Sequence, residues 1–306
     1  MSTHTTFKIG GPAEAFVRPS DPESAAKLLA AAKKEGIPLF VLGGGANILV
    51  GDKGIRGIVM ETSGLRSARI ERVRESDILV AGAGLSIDEL CLDALAAGLG
   101  GLENFYGMPG TVGGAAFMNA RCYETEMSQV LAWIDSADAQ GRITRRDVAP
   151  SGIDAATGAA WTYKRSPYQS GATGVEPGEA AGELILEAGF HLKRLSDEGA
   201  AAVAAVMRNR RADREAKGHY KLPSAGSVFK NDRSLGAPTG KLLDGLGLRG
   251  RRIGAAMVSP WHANIFVNAG GATAADMRSL IELAQREALE KLDIRLECEV
   301  LTVGEF

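Results

Sequence analysis

Three successive glycines, Gly43, Gly44 and Gly45, follow an apolar run in "VLGGGANILVGD" (Val41 to Asp52). A backbone without Cβ atoms can approach a ligand closely. Successive N–H groups there can form an anion nest, to which Asn47 adds a side-chain amide. The plainer alternative is a tight strand-to-strand turn that needs positive φ. The stretch has neither the lysine nor the hydroxyl with which a Walker A loop handles phosphate and magnesium. It also misses the dinucleotide fingerprint GxGxxG, because Ile48 stands at the third glycine position and "ILVGDKGIRGIVM" continues as strand, not helix. A second segment, "YGMPGTVGGAAFMNA" (Tyr106 to Ala120), supplies Gly107, Gly110, Gly113 and Gly114 with a hydroxyl at Thr111. It too lacks both fingerprints. Two such loops, each after αβ units, favour one extended ligand clamped along its length. A dinucleotide with a pyrophosphate and a ring system suits them.

The remaining reactive side chains narrow the chemistry. The 3 cysteines, Cys91, Cys122 and Cys298, are far apart and form no CxxC. That argues against a disulfide framework or a zinc site and for a reducing compartment. The histidines, His4, His191, His219 and His262, show no ligand spacing, so no metal is expected. A formal net charge of -2 gives no broad basic surface for nucleic acid. The chain has 306 residues, 45% hydrophobic and 24% charged, which predicts a globular protein of two or more domains. The opening "MSTHTTFKIGGPAEAF" lacks the order of a secretory signal, and no run of about 18 apolar residues exists to span a membrane. The expectation is a cytoplasmic enzyme or ligand binder with no obligate protein partner evident.

The elements that must position these residues alternate at first. "AEAFVRP" reads as a strand and "SDPESAAKLLAAAKKEG" as a helix with Ser20 and Glu23 as a capping box. "PLFVLGGG", "GIVMET" and "DILVAGAG" read as strands, and "SIDELCLDALAAGLGG" as a helix boxed by Ser86 and Glu89. From Val130 a hairpin turns at Gln140-Gly141, and Glu183 to Leu195 reads as one long strand. "SGATGVEPGEAAG" (Ser170 to Gly182) reads as a surface loop. Ser196 to Gly218 reads as a helix, apolar early and basic late. After it come a capped helix at "TGKLLDGLG", strands at "IGAAMVS" and "ANIFVN", a helix from Thr273 to Leu292 and a closing strand "IRLECEVLTVG".

Five segments in order, "HTTFKIGGPA", "VLGGGANILVGD", "GMPGTVGGAAFMNA", "PSAGSVFKN" and "LECEV", resemble the UDP-N-acetylenolpyruvoylglucosamine reductase family, from about Thr5 to Gly304. The resemblance implies an α+β fold of the FAD-binding vanillyl-alcohol-oxidase (PCMH) type. In it two αβ subdomains hold non-covalent FAD and a C-terminal α+β substrate domain lies over the isoalloxazine. The expected division is 1–65, 66–196 and 197–306, with the PCMH-type region at about 10–195. Gly43, Gly44, Gly45, Ala46 and Asn47 are then expected to cradle the pyrophosphate. Gly107, Pro109, Gly110, Thr111, Gly113 and Gly114 are expected to line the flavin. Arg56 and Arg121 are nearby cations, for which surface ion pairing is the commoner role.

The family's reaction passes a hydride from NADPH to FAD, then from flavin N5 to the β carbon of the enolpyruvyl ether of UDP-N-acetylglucosamine-enolpyruvate. A proton at the α carbon completes UDP-N-acetylmuramate for peptidoglycan. The resemblance assigns the proton to Ser227, with Gly226 permitting close packing; Lys230 and Asn231 follow closely and could bind substrate, and a family asparagine matches Asn231. It assigns a catalytic glutamate to Glu299; alternation puts Glu297 on the same face, and position before Val300 selects Glu299. A carboxylate beside an enolate helps only if protonated or hydrogen-bonded to a substrate-binding group. The usual Tyr-Arg-x-Ser stands here as "YKRS": Tyr163, a substrate contact, and Ser166 match, while Lys164 takes the arginine's place. Lysine loses the bidentate fork, and adjacent strand residues face opposite ways, so Lys164 and Arg165 both remain candidates for the enolate's cation. Arg211 and Arg214 share a helical face that could meet the UDP diphosphate. One branch of the family inserts a tyrosine-bearing closing loop; the stretch from Ser170 has no tyrosine, leaving Tyr168 and Tyr220 as the nearest aromatic candidates. Without the resemblance, Ser227 reads as a turn or N-cap serine, and the glutamates and cations as solvated surface. The alternative function is an FAD-dependent oxidase of the same fold acting on a small alcohol or hydroxy acid.

Overall fold

The computed structural model describes residues 1–73, 76–149, 161–169 and 182–306, so the expected surface loop from Ser170 lies, up to position 181, outside the described residues. Internal packing groups the chain into two compact units. The larger is Ala15–Gly44 with Gly57–Ala212; the smaller is Met1–Glu14, Gly45–Arg56 and Asp213–Phe306. Packing therefore cuts across chain order, and its last boundary falls inside a helix, where the sequence places one at 196.

In the larger unit, α1 (Pro22–Lys34) is capped by Asp21, whose side chain accepts from the Ser24 N–H at 2.8 Å. Ser20 is not the cap. Proline at the next position has a φ already suited to the first helical turn and no N–H to orphan there, so the cap shifts one residue onward. Helix α2 (Ile87–Ala96) forms both halves of the Ser86 and Glu89 capping box. A short helix that the sequence did not suggest, α3 (Val112–Phe117), follows the second glycine segment, with Thr111 as its cap. The long basic helix is α4 (Asp197–Ala216).

Two sheets carry these helices. Leu39–Leu42 runs parallel to the end of Ile55–Glu61, whose other neighbour is Ala13–Val17. The second sheet is antiparallel, in the order Ile143–Asp147, Leu131–Asp138, Glu183–His191, Ser76–Gly82, Ala68–Val73. Its first hairpin turns as expected, with Asp138 Oδ1 accepting from the Gln140 and Arg142 N–H groups at 2.9 and 3.0 Å. The long strand to Leu195 instead stops at His191. Lys193–Arg194 changes partner to Leu99–Gly100.

In the smaller unit an antiparallel sheet runs Ser224–Ser227, Ile265–Asn268, Ala256–Val258, Arg252–Ile253. The expected single strand "IGAAMVS" is thus a hairpin, turned at Gly254 with φ 53°. Helix α5 (Thr239–Gly245) has Pro238 at its cap position, which supplies no side-chain acceptor. Asn231 Oδ1 accepts from the Thr239 N–H instead, at 3.0 Å, satisfying a donor the helix leaves open. Helix α6 (Ala274–Leu292) has the Thr273 and Asp276 box, and Asp52 accepts from the Ala274 and Ala275 N–H groups at 2.7 and 3.0 Å. The closing strand shortens to Leu301–Val303, which pairs parallel with Ile48–Val50. The core here gathers Phe7, Leu49, Val228, Phe229 and Phe266, the last two edge to face at 5.9 Å.

Candidate active site

The two glycine loops touch. Within the larger unit, a Cβ at Gly43 would lie 2.7 Å from Thr111 Oγ1, and one at Gly44 would lie 2.8 Å from Gly110 Cα. Side chains there would push the loops apart: Gly43 packs on the Thr111 hydroxyl, and Gly44 meets Gly110 and Thr111 backbone to backbone. The abutting loops thus present one backbone surface, of the kind an extended cofactor with a pyrophosphate can approach closely. Gly44 and Pro109 are exposed on it, while Gly113 packs on Ala83 and the Gly114 N–H reaches Thr111 Oγ1 at 3.4 Å. Asp88, which the sequence reading passed over, accepts from the Gly107 N–H at 2.6 Å and meets Arg211 Nη1 at 3.3 Å. Arg211 is therefore engaged with α2, half in solvent.

"YKRS" is a turn, not a strand. Thr162 and Arg165 exchange N–H···O bonds at 3.1 and 2.9 Å, and Lys164 between them has φ 59°. The opposite-faces argument for Lys164 and Arg165 thus fails: a strand alternates its side chains, a tight turn does not. Lys164 is half-buried and Arg165 exposed. Two cations approach the Tyr163 ring, with Arg121 Cζ 5.8 Å and Lys164 Nζ 5.9 Å from its centre. Ser166 is buried and donates to Phe117 O at 2.7 Å, which fixes the turn to α3. Asn119, at the end of the second glycine segment, is fully buried and donates to Thr162 O at 2.9 Å. An asparagine closing a helix is a recognisable signal, but its target lies 43 residues on.

In the smaller unit, Ser227 ends its strand after a bulge. Ser224 opposes Val267 and Ser227 opposes Ile265, so three steps on one strand match two on the other. Gly226 absorbs the extra residue with φ 72°, and nothing lies within 4 Å of a Cβ built there. Its glycine is needed for that torsion rather than for close packing. Beyond it, "LECEV" makes one isolated bridge, Cys298 to Phe229, instead of a full strand. The Glu299 N–H donates to Val228 O at 2.7 Å, and the Val300 N–H reaches the same oxygen at 3.4 Å, where the register slips. Glu297 is exposed and pairs with Lys230 Nζ at 2.5 Å; Glu299 is half-buried. Asn47 Nδ2 donates to Glu299 O at 2.9 Å, tying the first glycine segment to the glutamate's backbone. Gly45 lies under the N-terminal segment: a Cβ there would be 2.1 Å from His4 O, and Ala46 is half-buried beside it. Arg214 is half-buried on α4, Tyr220 is exposed, and Arg56 pairs with Glu305 at 3.2 Å. Tyr168, in the larger unit, is buried beneath Arg146.

Burial pushes the Cys91 thiol far up and the Cys298 thiol up to about 11, away from reactive thiolate. Among the described residues no group of three or more His, Cys, Asp and Glu could hold a metal, and no helix is long and apolar enough to cross a membrane.

Residues 13–147 match the model of an FAD binding domain. With the abutting glycine loops and the mixed helix and strand, that defines an FAD-dependent α+β oxidoreductase. Residues 218–303 match the model of the UDP-N-acetylenolpyruvoylglucosamine reductase C-terminal domain. The reductase of that name from Treponema denticola is 40% identical, over 99% of this chain and 91% of its own. The one from Anaeromyxobacter dehalogenans is 38% identical, over 100% of this chain and 84% of its own. Among solved structures, UDP-N-acetylenolpyruvylglucosamine reductase from Thermus caldophilus superposes with a TM-score of 0.75 at 29% identity, over 99% and 96% of the two chains. The chain belongs to the UDP-N-acetylenolpyruvoylglucosamine reductase family.

Proposed function

We propose that this chain reduces the enolpyruvyl ether of UDP-N-acetylglucosamine-enolpyruvate to UDP-N-acetylmuramate, in the cytoplasm, with NADPH as reductant. The observation that carries the reading is the setting of Ser227: a half-buried hydroxyl re-aimed by a bulge, with the Glu299 backbone bonded to the next residue. Bound FAD supplies hydride acceptance and delivery. The side chains supply the rest. Ser227 gives the proton to the substrate's α carbon, a role open to so weak an acid only when it is held in place. Glu299 hydrogen-bonds the substrate-binding groups around that transfer. Lys164 stabilises the negative charge that develops on the substrate carboxylate, and the turn supports it over Arg165 by drawing it out of solvent. Tyr163, Lys230, Asn231 and Arg214 orient substrate, and Arg211 joins them from its ion pair with Asp88. Gly43 to Asn47 hold the pyrophosphate, and the Gly107 to Gly114 segment lines the ring.

An anaerobic absorption spectrum tests this. NADPH should bleach the flavin band, and UDP-N-acetylglucosamine-enolpyruvate should restore it. A band that returns only with oxygen would replace the reading with the oxidase one.

A further inference from the structure

We propose that Asn264 is the positioning residue for the Ser227 hydroxyl; the inference rests on Ser227 being the proton donor. Asn264 has no exposed surface. Its side chain makes a reciprocal pair with the backbone of a single residue. Oδ1 accepts from the Phe229 N–H at 3.0 Å and Nδ2 donates to Phe229 O at 2.8 Å. Its own carbonyl accepts from the Val228 N–H at 2.8 Å, and its N–H donates to His262 Nδ1 at 3.1 Å. Every polar atom of Asn264 is thus used, and most of them grip the two residues after Ser227.

The need for that grip comes from the bulge. Gly226 is the residue with most torsional freedom in the segment, and nothing packs where its Cβ would be. Ser227 therefore hangs between a hinge and whatever pins residues 228 and 229. The Glu299 N–H pins Val228 from one edge at 2.7 Å. From the other edge the regular pairing with Ile265–Asn268 ends at Ser227, and the Asn264 carbonyl carries it just one bond further, to the Val228 N–H. The Asn264 amide replaces the missing strand there, presenting a donor and an acceptor as a peptide would. Phe229, fully buried, has no water to turn to if that amide is lost.

The test uses the FAD-loaded protein and two variants. Asn264→Asp keeps the shape and the acceptor but loses the donor and sets oxygen against oxygen. Asn264→Ser, shorter and uncharged, guards against an effect of buried charge alone. Each is compared with wild type, with Ser227→Ala and with the double variant, and the two half-reactions are timed separately under anaerobic conditions. Bleaching by NADPH should stay within about twofold, while recovery with substrate slows about a hundredfold, the loss expected from a small misplacement of a reacting group. In the Ser227→Ala background, replacing Asn264 should slow recovery no further. Equal slowing of both halves, an additional loss in the double variant, or full-rate recovery in the single ones overturns the proposal. So does loss of flavin and of a cooperative melt in both variants, which would make the residue one of folding. Unimpaired recovery in Ser227→Ala alone instead removes the serine assignment itself.

Discussion

A serine hydroxyl gives up a proton only where geometry replaces acidity, so the residue-scale predictions turn on separating charge and proton from scaffold. Ser227→Ala should leave bleaching by NADPH intact and cut substrate-driven recovery by orders of magnitude, read by rapid mixing. Lys164 permits a cleaner experiment than alanine. Its left-handed torsion costs a lysine about 1 kcal/mol, a cost that glycine escapes. Lys164→Gly should therefore hold or raise the melting temperature while turnover at saturating substrate falls more than in Arg165→Ala. Equal turnover in both variants would reopen the choice of cation. "YKRS" also shows a limit of local reading. Residue types are visible in the sequence, but whether two neighbours share a strand or a turn depends on Asn119 and Ser166, whose partners are distant.

At the scale of elements, glycines in the site serve two different ends. Gly226→Ala meets no atom, so its cost is torsional, about 1 to 2 kcal/mol, with a further loss of turnover as the bulge shifts. Gly44→Ala would set a methyl 2.8 Å from Gly110 Cα and part the loops. Purified protein should then carry less FAD, measured as flavin absorbance per protein, before any loss of fold. Caps matter as well. Asp52 closes "VLGGGANILVGD" yet caps α6, so Asp52→Ala should lower stability by about 1 kcal/mol without changing flavin content. The same lesson applies to α1, where one proline moved the cap from Ser20 to Asp21.

The molecule as a whole carries a pH response in its smaller unit. Burial, then the charge of Arg214, holds His219 down to about 4, and burial holds His262 low as well; the two rings lie 6.4 Å apart. A histidine kept neutral in the fold but protonated when unfolded gives full stability above its ordinary value of 6.5. As pH falls from there toward 4 the unfolded chain binds the extra proton, and stability is lost across that window. Melting temperature should drop over it, and His219→Gln should flatten the drop. An unchanged slope in that variant would assign the response to other groups.

By itself the sequence determined the elements whose signals are local: the alternating strands, the α2 capping box, the hairpin at Gly141 and the two glycine loops. Ordered motifs carried the family, and with it the cofactor. What it could not decide were properties that depend on partners far along the chain. Strand ends moved where the partner changed, as at His191, and "LECEV" shrank to a bridge where two N–H groups met one carbonyl. Nothing local marks the partners of Asp88, Asn119 or Asn264, because an asparagine or aspartate reads alike in a turn, a cap or a buried brace. Their roles arise from burial, which leaves a peptide without water and makes one distant amide its only replacement.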